Sequence, residues 1–156
     1  MKTTVLFLIT FLGITTISCD KEDEVFYHFD EPKFIAKQKQ WEQQNLKNYK
    51  FKQSYNSSAT GPVSETISVR NGIASSENDT HSAMIGTISE IYNRILNDFN
   101  EGKQNQQVPI YGITVDVNYN EEYNFPEKVK FSTSYKENIV GGAWYELQIT
   151  DFEILE

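Results

Sequence analysis

The sequence predicts an α+β fold in two layers, an antiparallel sheet with helices packed on one of its faces. Three features predict it. Apolar and polar residues alternate through most of the last third, one segment carries its apolar residues on a single helical face, and Asn71-Gly72 marks a tight hairpin. Strands grouped around separate helices are typical of α+β domains. Residues 31–156 are expected to form one such domain, because their number suits a single core.

The first helix is predicted from about Glu31 to Leu46. Pro32 suits a first helical turn, where its missing N–H is not needed, and Asp30 can cap the helix. The apolar stripe of this helix is thin, and it consists of Phe34, Ile35, Trp41 and Leu46.

Three strands are predicted after this helix. Apolar and polar residues alternate from Tyr49 to Tyr55, which indicates a half-buried strand, and Ile67 and Val69 alternate in a second one. Asn71-Gly72 then predicts a type I′ turn, since both of its central residues need a positive φ angle. The chain is expected to return through a short strand at residues 73–76.

The clearest helix lies in the middle of the chain. Its apolar residues follow the spacing of one helical face, and they are Ile88, Ile91, Tyr92, Ile95, Leu96 and Phe99. Thr87 and Glu90 have the spacing of a capping box at its start. Gly102 is expected to end the helix in the left-handed conformation.

The last third is predicted to be all strand. Strict alternation runs from Tyr111 to Tyr119, and further alternating positions are Val129, Phe131, Thr133, Tyr145, Leu147 and Ile149. Phe152 and Ile154 switch phase, which predicts a bulge near Asp151. The predicted order is therefore α-β-β-β-α-β-β-β.

Residues 1–18 resemble a lipoprotein signal peptide. Lys2 precedes a mostly apolar stretch, Thr3 to Ile17, that is shorter than the roughly 20 residues of a membrane-spanning helix. Ser18 is a small residue directly before Cys19, as cleavage at a lipobox requires. An ordinary secreted protein with a chance cysteine near its cleavage site is the alternative.

The resemblance implies that the Cys19 thiol receives a diacylglycerol and that the signal is cut between Ser18 and Cys19. Acyl chains on Cys19 would then attach the protein to a membrane, stably when two or more chains are present. Cys19 is the single cysteine of the chain, so the folded part is expected to contain no disulfide and no thiolate nucleophile.

Residues 19–30 are predicted to be an acidic tether. The charged run at 20–24 resembles an export signal for cell-surface lipoproteins, while Asp20 after the cysteine resembles an inner-membrane retention signal. A solvated spacer is the third interpretation. We expect an outer-membrane location in the bacterial envelope, with surface exposure as one option. The net charge of −8 argues against nucleic acid as a partner.

Several segments resemble one family in their order and spacing. They are Trp41 with Asn45, Tyr49-Lys50-Phe51, Val69-Arg70-Asn71-Gly72, Val117-Asn118-Tyr119, Tyr123-Asn124-Phe125-Pro126-Glu127-Lys128-Val129 and the closing segment Tyr145 to Phe152. Together they are similar to the bacterial domain of unknown function six-one-seven-four (DUF6174), which is often found in lipoproteins. The resemblance covers about Lys39 to Leu155 and implies a shape and a location but no activity.

The chain departs from the family pattern in two places. Asn124 stands where glycine is usual, and the turn is expected to survive because asparagine also tolerates a positive φ angle. Many relatives carry a C-x-C pair after the first strand. Residues 54–58 contain no cysteine here, so no disulfide or metal role is implied for this segment.

One pattern has the spacing of a calcium loop, with oxygen ligands from Asp116, Asn118, Asn120 and Glu127. Glu121 stands where the sharp turn of such a loop needs glycine, and Asp116 lies in a predicted strand. The simpler interpretation is a solvated strand face, so no metal and no cofactor is expected.

Other polar groups are expected to face water. His28 and His81 are too few for a zinc site, and the pairing of Glu121 or Glu122 with Glu137 as acid and base has only proximity in sequence to support it.

Trp144 and Tyr145 follow Gly141-Gly142 and could present aromatic rings to a sugar or a protein partner. The alternative is a hairpin whose tryptophan packs on the edge of the sheet.

These features predict a monomeric, non-enzymatic, lipid-anchored envelope protein that binds an unknown protein or small ligand as an adaptor or inhibitor-like module. A glycan-binding surface lipoprotein that uses Trp144 and Tyr145 is the first alternative. A hydrolase with a pair of carboxylates is the second.

Overall fold

A computed structural model describes residues 24–76, 85–104, 108–136 and 143–156. These residues form two helices and seven strands, an α+β fold. In chain order the elements are β1 (Phe26–His28), α1 (Glu31–Gln43), β2 (Tyr49–Ser57), β3 (Val63–Arg70), β4 (Ile73–Ser76), α2 (Ile88–Gln104), β5 (Ile110–Tyr119), β6 (Pro126–Tyr135) and β7 (Ala143–Ile154).

The seven strands form one mixed sheet in the order β1-β5-β6-β7-β2-β3-β4. Every neighbouring pair is antiparallel except β1 and β5, which run in parallel. The prediction of a purely antiparallel sheet was therefore wrong at one edge. The cause is β1, whose residues Phe26–His28 lie inside the segment predicted to be a tether and pair with Gly112–Thr114.

Both predicted helices are present, with corrected ends. The Asp30 carboxylate accepts a hydrogen bond from the Lys33 N–H at 3.1 Å and so caps α1, which ends at Gln43 rather than at Leu46. Helix α2 continues past Gly102, which was wrongly expected to stop it. Gly102 instead permits a close approach, because a Cβ there would lie 2.7 Å from the Cδ1 atom of Ile113.

The predicted turns have the expected backbone conformations. Asn71 and Gly72 have φ angles of 52° and 77°, and Asn124 has a φ angle of 62°. Asp151 also has a positive φ angle, 52°, beside an irregularity in the pairing of β2 with β7. The structure thus confirms the hairpin at Asn71-Gly72 and the bulge near Asp151. It also confirms the turn at Asn124, where asparagine replaces the family's glycine.

The core contains buried residues of both helices and of the strands. Alternate residues of the central strands are buried there, together with the apolar faces of α1 and α2. Aromatic rings meet edge to face, as Trp41 does with Tyr49 and with Phe125, and Phe34 does with Tyr92. Among the residues described, neither helix is long and apolar enough to cross a membrane.

Candidate functional site

The face of the sheet opposite the core carries polar side chains and is called the outer face below. On β7 the exposed positions alternate with core positions, which places Trp144, Glu146 and Gln148 on this face. Their cross-strand neighbours on β6 are Ser132, Lys130 and Lys128, respectively. The outer face is therefore a contiguous surface of hydroxyl, amide and charged groups with one tryptophan.

Trp144 and Tyr145 lie on opposite faces of the sheet. The Trp144 side chain is 38% exposed on the outer face, whereas Tyr145 is buried and its ring stacks on Phe131 at a centroid distance of 5.1 Å. The two rings therefore form no joint platform, and Trp144 alone is available to a ligand. Alternation along a strand explains the separation, because successive side chains point in opposite directions.

A groove of about 320 Å³ crosses the outer face, and Glu146, two residues after Trp144 on β7, is among the residues that line it. Strands β2, β3, β6 and β7 contribute to it, and the polar residues that line it are Ser54, Asn56, Ser64, Lys128, Glu146 and Gln148. We call this the outer groove. Register places Ser54 opposite Gln148 and Asn56 opposite Glu146, so the amides and hydroxyls of three adjacent strands converge there.

The outer groove offers both hydrogen-bond donors and hydrogen-bond acceptors. The Ser54 and Ser64 hydroxyls lie 3.4 Å apart, and Glu146 forms an ion pair with Lys130 at 3.4 Å. Amides, hydroxyls and a carboxylate beside an aromatic ring suit a ligand that is rich in hydroxyl groups or a polar peptide. These groups can bind and orient such a ligand.

A second polar cluster lies on the core side of the sheet. Burial raises the pKa of the Asp98 carboxyl. The neighbouring Tyr145 hydroxyl and the Arg94 charge lower this pKa and so offset part of the rise. Burial also raises the pKa of Tyr145, and the charge of Asp98 adds to that rise. On the same side Glu65 is buried and accepts a hydrogen bond from the Ser76 hydroxyl at 2.7 Å. Tyr145 and Glu65 are buried, so these two groups belong to the core rather than to an open site.

A further cleft of about 410 Å³ lies between β1, the start of α1 and β5. The His28 Nε2 atom is 3.3 Å from the Asp116 carboxylate, and the Asp30 carboxylate at the same cleft caps α1. Burial raises the pKa of the Tyr119 hydroxyl at this cleft, and the charge of Asp30 adds to the rise. Both carboxylates therefore already lie close to nitrogen atoms of the protein.

The structure divides the four residues of the calcium pattern between a strand and a turn. Asp116 and Asn118 lie on the exposed side of β5. The Asn120 side-chain oxygen accepts hydrogen bonds from the Glu122 and Tyr123 N–H groups at 3.1 and 2.9 Å. The Asn120 amide lies 3.4 Å from Glu127, so these two are brought together.

The remaining predicted positions have different outcomes. Ser18, Cys19, His81 and Glu137 lie outside the described residues. Within the four described ranges, no group of three or more His, Cys, Asp or Glu side chains is placed to hold a metal ion. The calcium and lipidation sites therefore stay predictions.

Sequence reasoning missed the groups that line the outer groove. The alternation from Tyr49 to Tyr55 predicts only a solvated position for Ser54, and no pattern in the sequence singles out Gln148. The signal that could have found them is the pairing of β2 with β7, which the hydrophobic pattern does not specify. Once these strands are adjacent, their polar positions necessarily meet.

Comparison with known proteins yields one match. A family model described as "Family of unknown function (DUF6174)" matches residues 33–153. No curated protein and no solved structure matches this chain.

Proposed function

The chain belongs to the DUF6174 family of unknown function, and from its own residues we propose a non-enzymatic, lipid-anchored protein of the bacterial envelope. In this proposal Cys19 carries the acyl chains, and the domain binds an extracytoplasmic partner as a monomer. The lipobox-like segment at residues 3–19 supports the anchor. The outer groove supports the binding role.

One observation carries the binding role. The outer groove combines polar groups from separate strands, on the same face of the sheet that exposes Trp144. A rigid sheet holds such groups in fixed positions, which lowers the entropy cost of binding a partner.

We further infer a two-layer arrangement, with α1 and α2 in one layer and the sheet in the other. The alternation of buried and more exposed positions along β2 and β7 supports this inference. In such an arrangement the helices cover one face of the sheet, and the outer face remains available to a partner. The acidic net charge of −8 favours a neutral or basic partner.

Replacing Cys19 by alanine is expected to abolish lipid attachment. The precursor should then stay unprocessed or be released to the soluble fraction, because no acyl chain remains to hold the domain. Mass spectrometry of the wild-type N-terminus should show diacylglycerol on Cys19, and the alanine variant should lose it. Ser18→Gly, which keeps a small residue before the cysteine, is the matched control and should be processed normally.

Two results would contradict the anchor. One is a wild-type protein whose residue 19 carries a free thiol. The other is a Cys19→Ala protein that has lost its signal peptide and still keeps the membrane fraction of the wild type, since attachment would then come from another part of the chain.

Glycan binding is a second candidate function, and the exposure of Trp144 on the same face as the outer groove favours it. Aromatic rings pack against the apolar faces of sugars, while amides and carboxylates form hydrogen bonds with the sugar hydroxyl groups. The position of Tyr145 on the core side limits this candidate to a single aromatic contact.

The two kinds of partner can be separated with one pair of variants. If a glycan binds, Trp144→Ala should weaken its affinity about tenfold or more, in line with the loss of a central aromatic contact. Titration calorimetry of envelope polysaccharide fragments against the unlipidated chain of residues 19–156 measures this. Ile73→Ala, at an exposed position on the edge strand β4, is the control and should bind as the wild type does.

Glycan binding would be rejected if no fragment gave heat with the wild type. It would also be rejected if Trp144→Ala bound equally well. A polar peptide partner would then be the remaining candidate for the outer groove.

A further inference from the structure

Three half-exposed aromatic side chains and two lysines lie at one end of the sheet. Phe26 and Tyr27 belong to β1, and Tyr111 precedes the residue that pairs with Phe26. The Lys103 Nζ atom lies 5.8 Å from the Tyr27 ring centroid, and the Lys136 Nζ atom lies 5.9 Å from that of Tyr111. We call this surface the anchor end.

The direction of β1 places the preceding chain at the anchor end. Because β1 and β5 are parallel, both strands begin at the same end of the sheet. Residues before Phe26 therefore leave the domain beside Tyr111. Cys19 precedes Phe26 by so few residues that even a fully extended chain spans only about 25 Å between them.

The packing of β1 fixes Phe26 in place. A Cβ atom on Gly112 would lie only 2.4 Å from both the ring and the carbonyl oxygen of Phe26, so only glycine lets the strands approach in this way. On the other side of β1, the Tyr27 ring meets the edge of Phe99 at 6.0 Å. The exposed aromatics are thus presented by a docked strand.

From these observations we propose that the anchor end contacts the headgroup region of the bilayer that holds the acyl chains of Cys19. Aromatic rings are favourable at the boundary between headgroups and hydrocarbon, and lysines extend their charged ends toward the phosphates. The inference rests on the proposed lipid anchor. It adds an orientation, in which the anchor end faces the lipid. Strand β4 lies far from the anchor end, because it forms the edge of the sheet opposite β1.

The short tether favours a bilayer over another occupant. A tether of about 25 Å is comparable to the size of the domain, so the surface at which the tether begins stays near the lipid. A protein partner or a second copy of the chain would have to enter between the domain and the membrane. These other occupants are outcomes of the test below.

A partition measurement with one chemically attached chain tests the contact. A single alkyl chain is coupled through maleimide to the Cys19 thiol of the chain 19–156, because one chain alone binds membranes only marginally. On phosphatidylcholine vesicles, the double substitution Phe26→Ser and Tyr27→Ser should lower partitioning about tenfold. The control Ile73→Ser, at an exposed apolar position on β4, should leave partitioning unchanged.

A depth measurement keeps the test valid if the serine variant loses β1. Phe26→Trp in a Trp144→Phe background retains an aromatic ring, and its fluorescence should be quenched by brominated phosphatidylcholine. The fluorescence of Ile73→Trp in the same background should be quenched at most about half as strongly, because β4 would face away from the lipid.

Each outcome decides the proposal. A fall in partitioning for the serine variant together with quenching at position 26 supports it. Equal partitioning, equal quenching at positions 26 and 73, or a Phe26→Trp signal that changes with protein concentration instead of lipid overturns it. Because the chain is attached chemically, these failures leave the proposed lipidation standing, and that is judged by Cys19→Ala alone.

Discussion

The protein should unfold cooperatively at alkaline pH, in a step that coincides with the ionisation of its buried tyrosines. Tyr49, Tyr92 and Tyr145 are each less than 10% exposed, and burial raises the pKa of all three hydroxyls above the ordinary value of about 10. In the unfolded chain these hydroxyls ionise freely. Alkali therefore favours the unfolded state.

The sign and size of this effect follow from proton linkage. A raised pKa in the folded state gives stability that is complete below the unfolded pKa and is lost as pH rises above it. Each tyrosine removes about 1.4 kcal/mol per pH unit, so the three together remove about 4 kcal/mol per unit. A domain of ordinary stability, about 5–15 kcal/mol, should then unfold between about pH 11 and 14.

Tyr92→Phe isolates one of the three contributions. The hydroxyl of Tyr92 donates a hydrogen bond to the Asn124 carbonyl oxygen, so its loss should cost about 1 kcal/mol at neutral pH. Above pH 10 the variant should lose about 1.4 kcal/mol less stability per pH unit than the wild type, because one linked proton is absent. Denaturant titrations at several pH values measure both changes.

Tyr111→Phe is the matched control, since it removes an exposed tyrosine without removing a buried one. It should leave the slope of stability against pH unchanged. The linkage argument would be contradicted if all tyrosines ionised while the circular dichroism of the folded protein persisted. An unchanged slope for Tyr92→Phe would contradict it as well.

Local sequence signals predicted most of the elements because each has a local physical cause. The face that begins at Ile88 and the capping box of Thr87 and Glu90 predict α2, and the Glu90 carboxylate indeed accepts from the Thr87 N–H at 2.6 Å. Asn71-Gly72 predicts its hairpin because few other pairs tolerate two positive φ angles. Such signals require no knowledge of distant contacts.

The features that were missed depend on contacts between distant parts of the chain. Strand β1 has three residues, too few for a pattern of alternation, and it exists because Gly112 leaves room for Phe26. Gly102 was expected to end α2, yet its role is to let the helix approach Ile113. Neither glycine shows its purpose until the elements are packed together.

The candidate site could be predicted only in part for the same reason. Trp144 was singled out from sequence, and it is exposed. Its predicted companion Tyr145 faces the core, where it adjoins Asp98 instead. The groups beside Trp144 come from β2 and β6, which are separated from it in sequence by many residues and meet it only through the order of the sheet.

Replacing Trp41 by alanine should be among the most destabilising single changes in the domain. Trp41 is 4% exposed, its indole N–H donates to the Ser89 hydroxyl at 3.3 Å, and its ring contacts Tyr49 and Phe125 edge to face. Removal of the ring leaves a cavity between α1, α2 and the sheet. The expected loss is about 3–5 kcal/mol of unfolding free energy, which is a large part of the stability of a domain this size.

Trp144→Ala provides the matched comparison, because it removes the same side chain from an exposed position. Its cost should be smaller, about 1–2 kcal/mol, since Trp144 is already 38% exposed in the folded protein. Urea unfolding followed by circular dichroism compares the two variants without relying on tryptophan fluorescence. Similar losses for both would contradict the assignment of Trp41 to the core and Trp144 to the outer face. The contrast therefore tests which tryptophan is free for a partner, a question on which the proposed binding role depends.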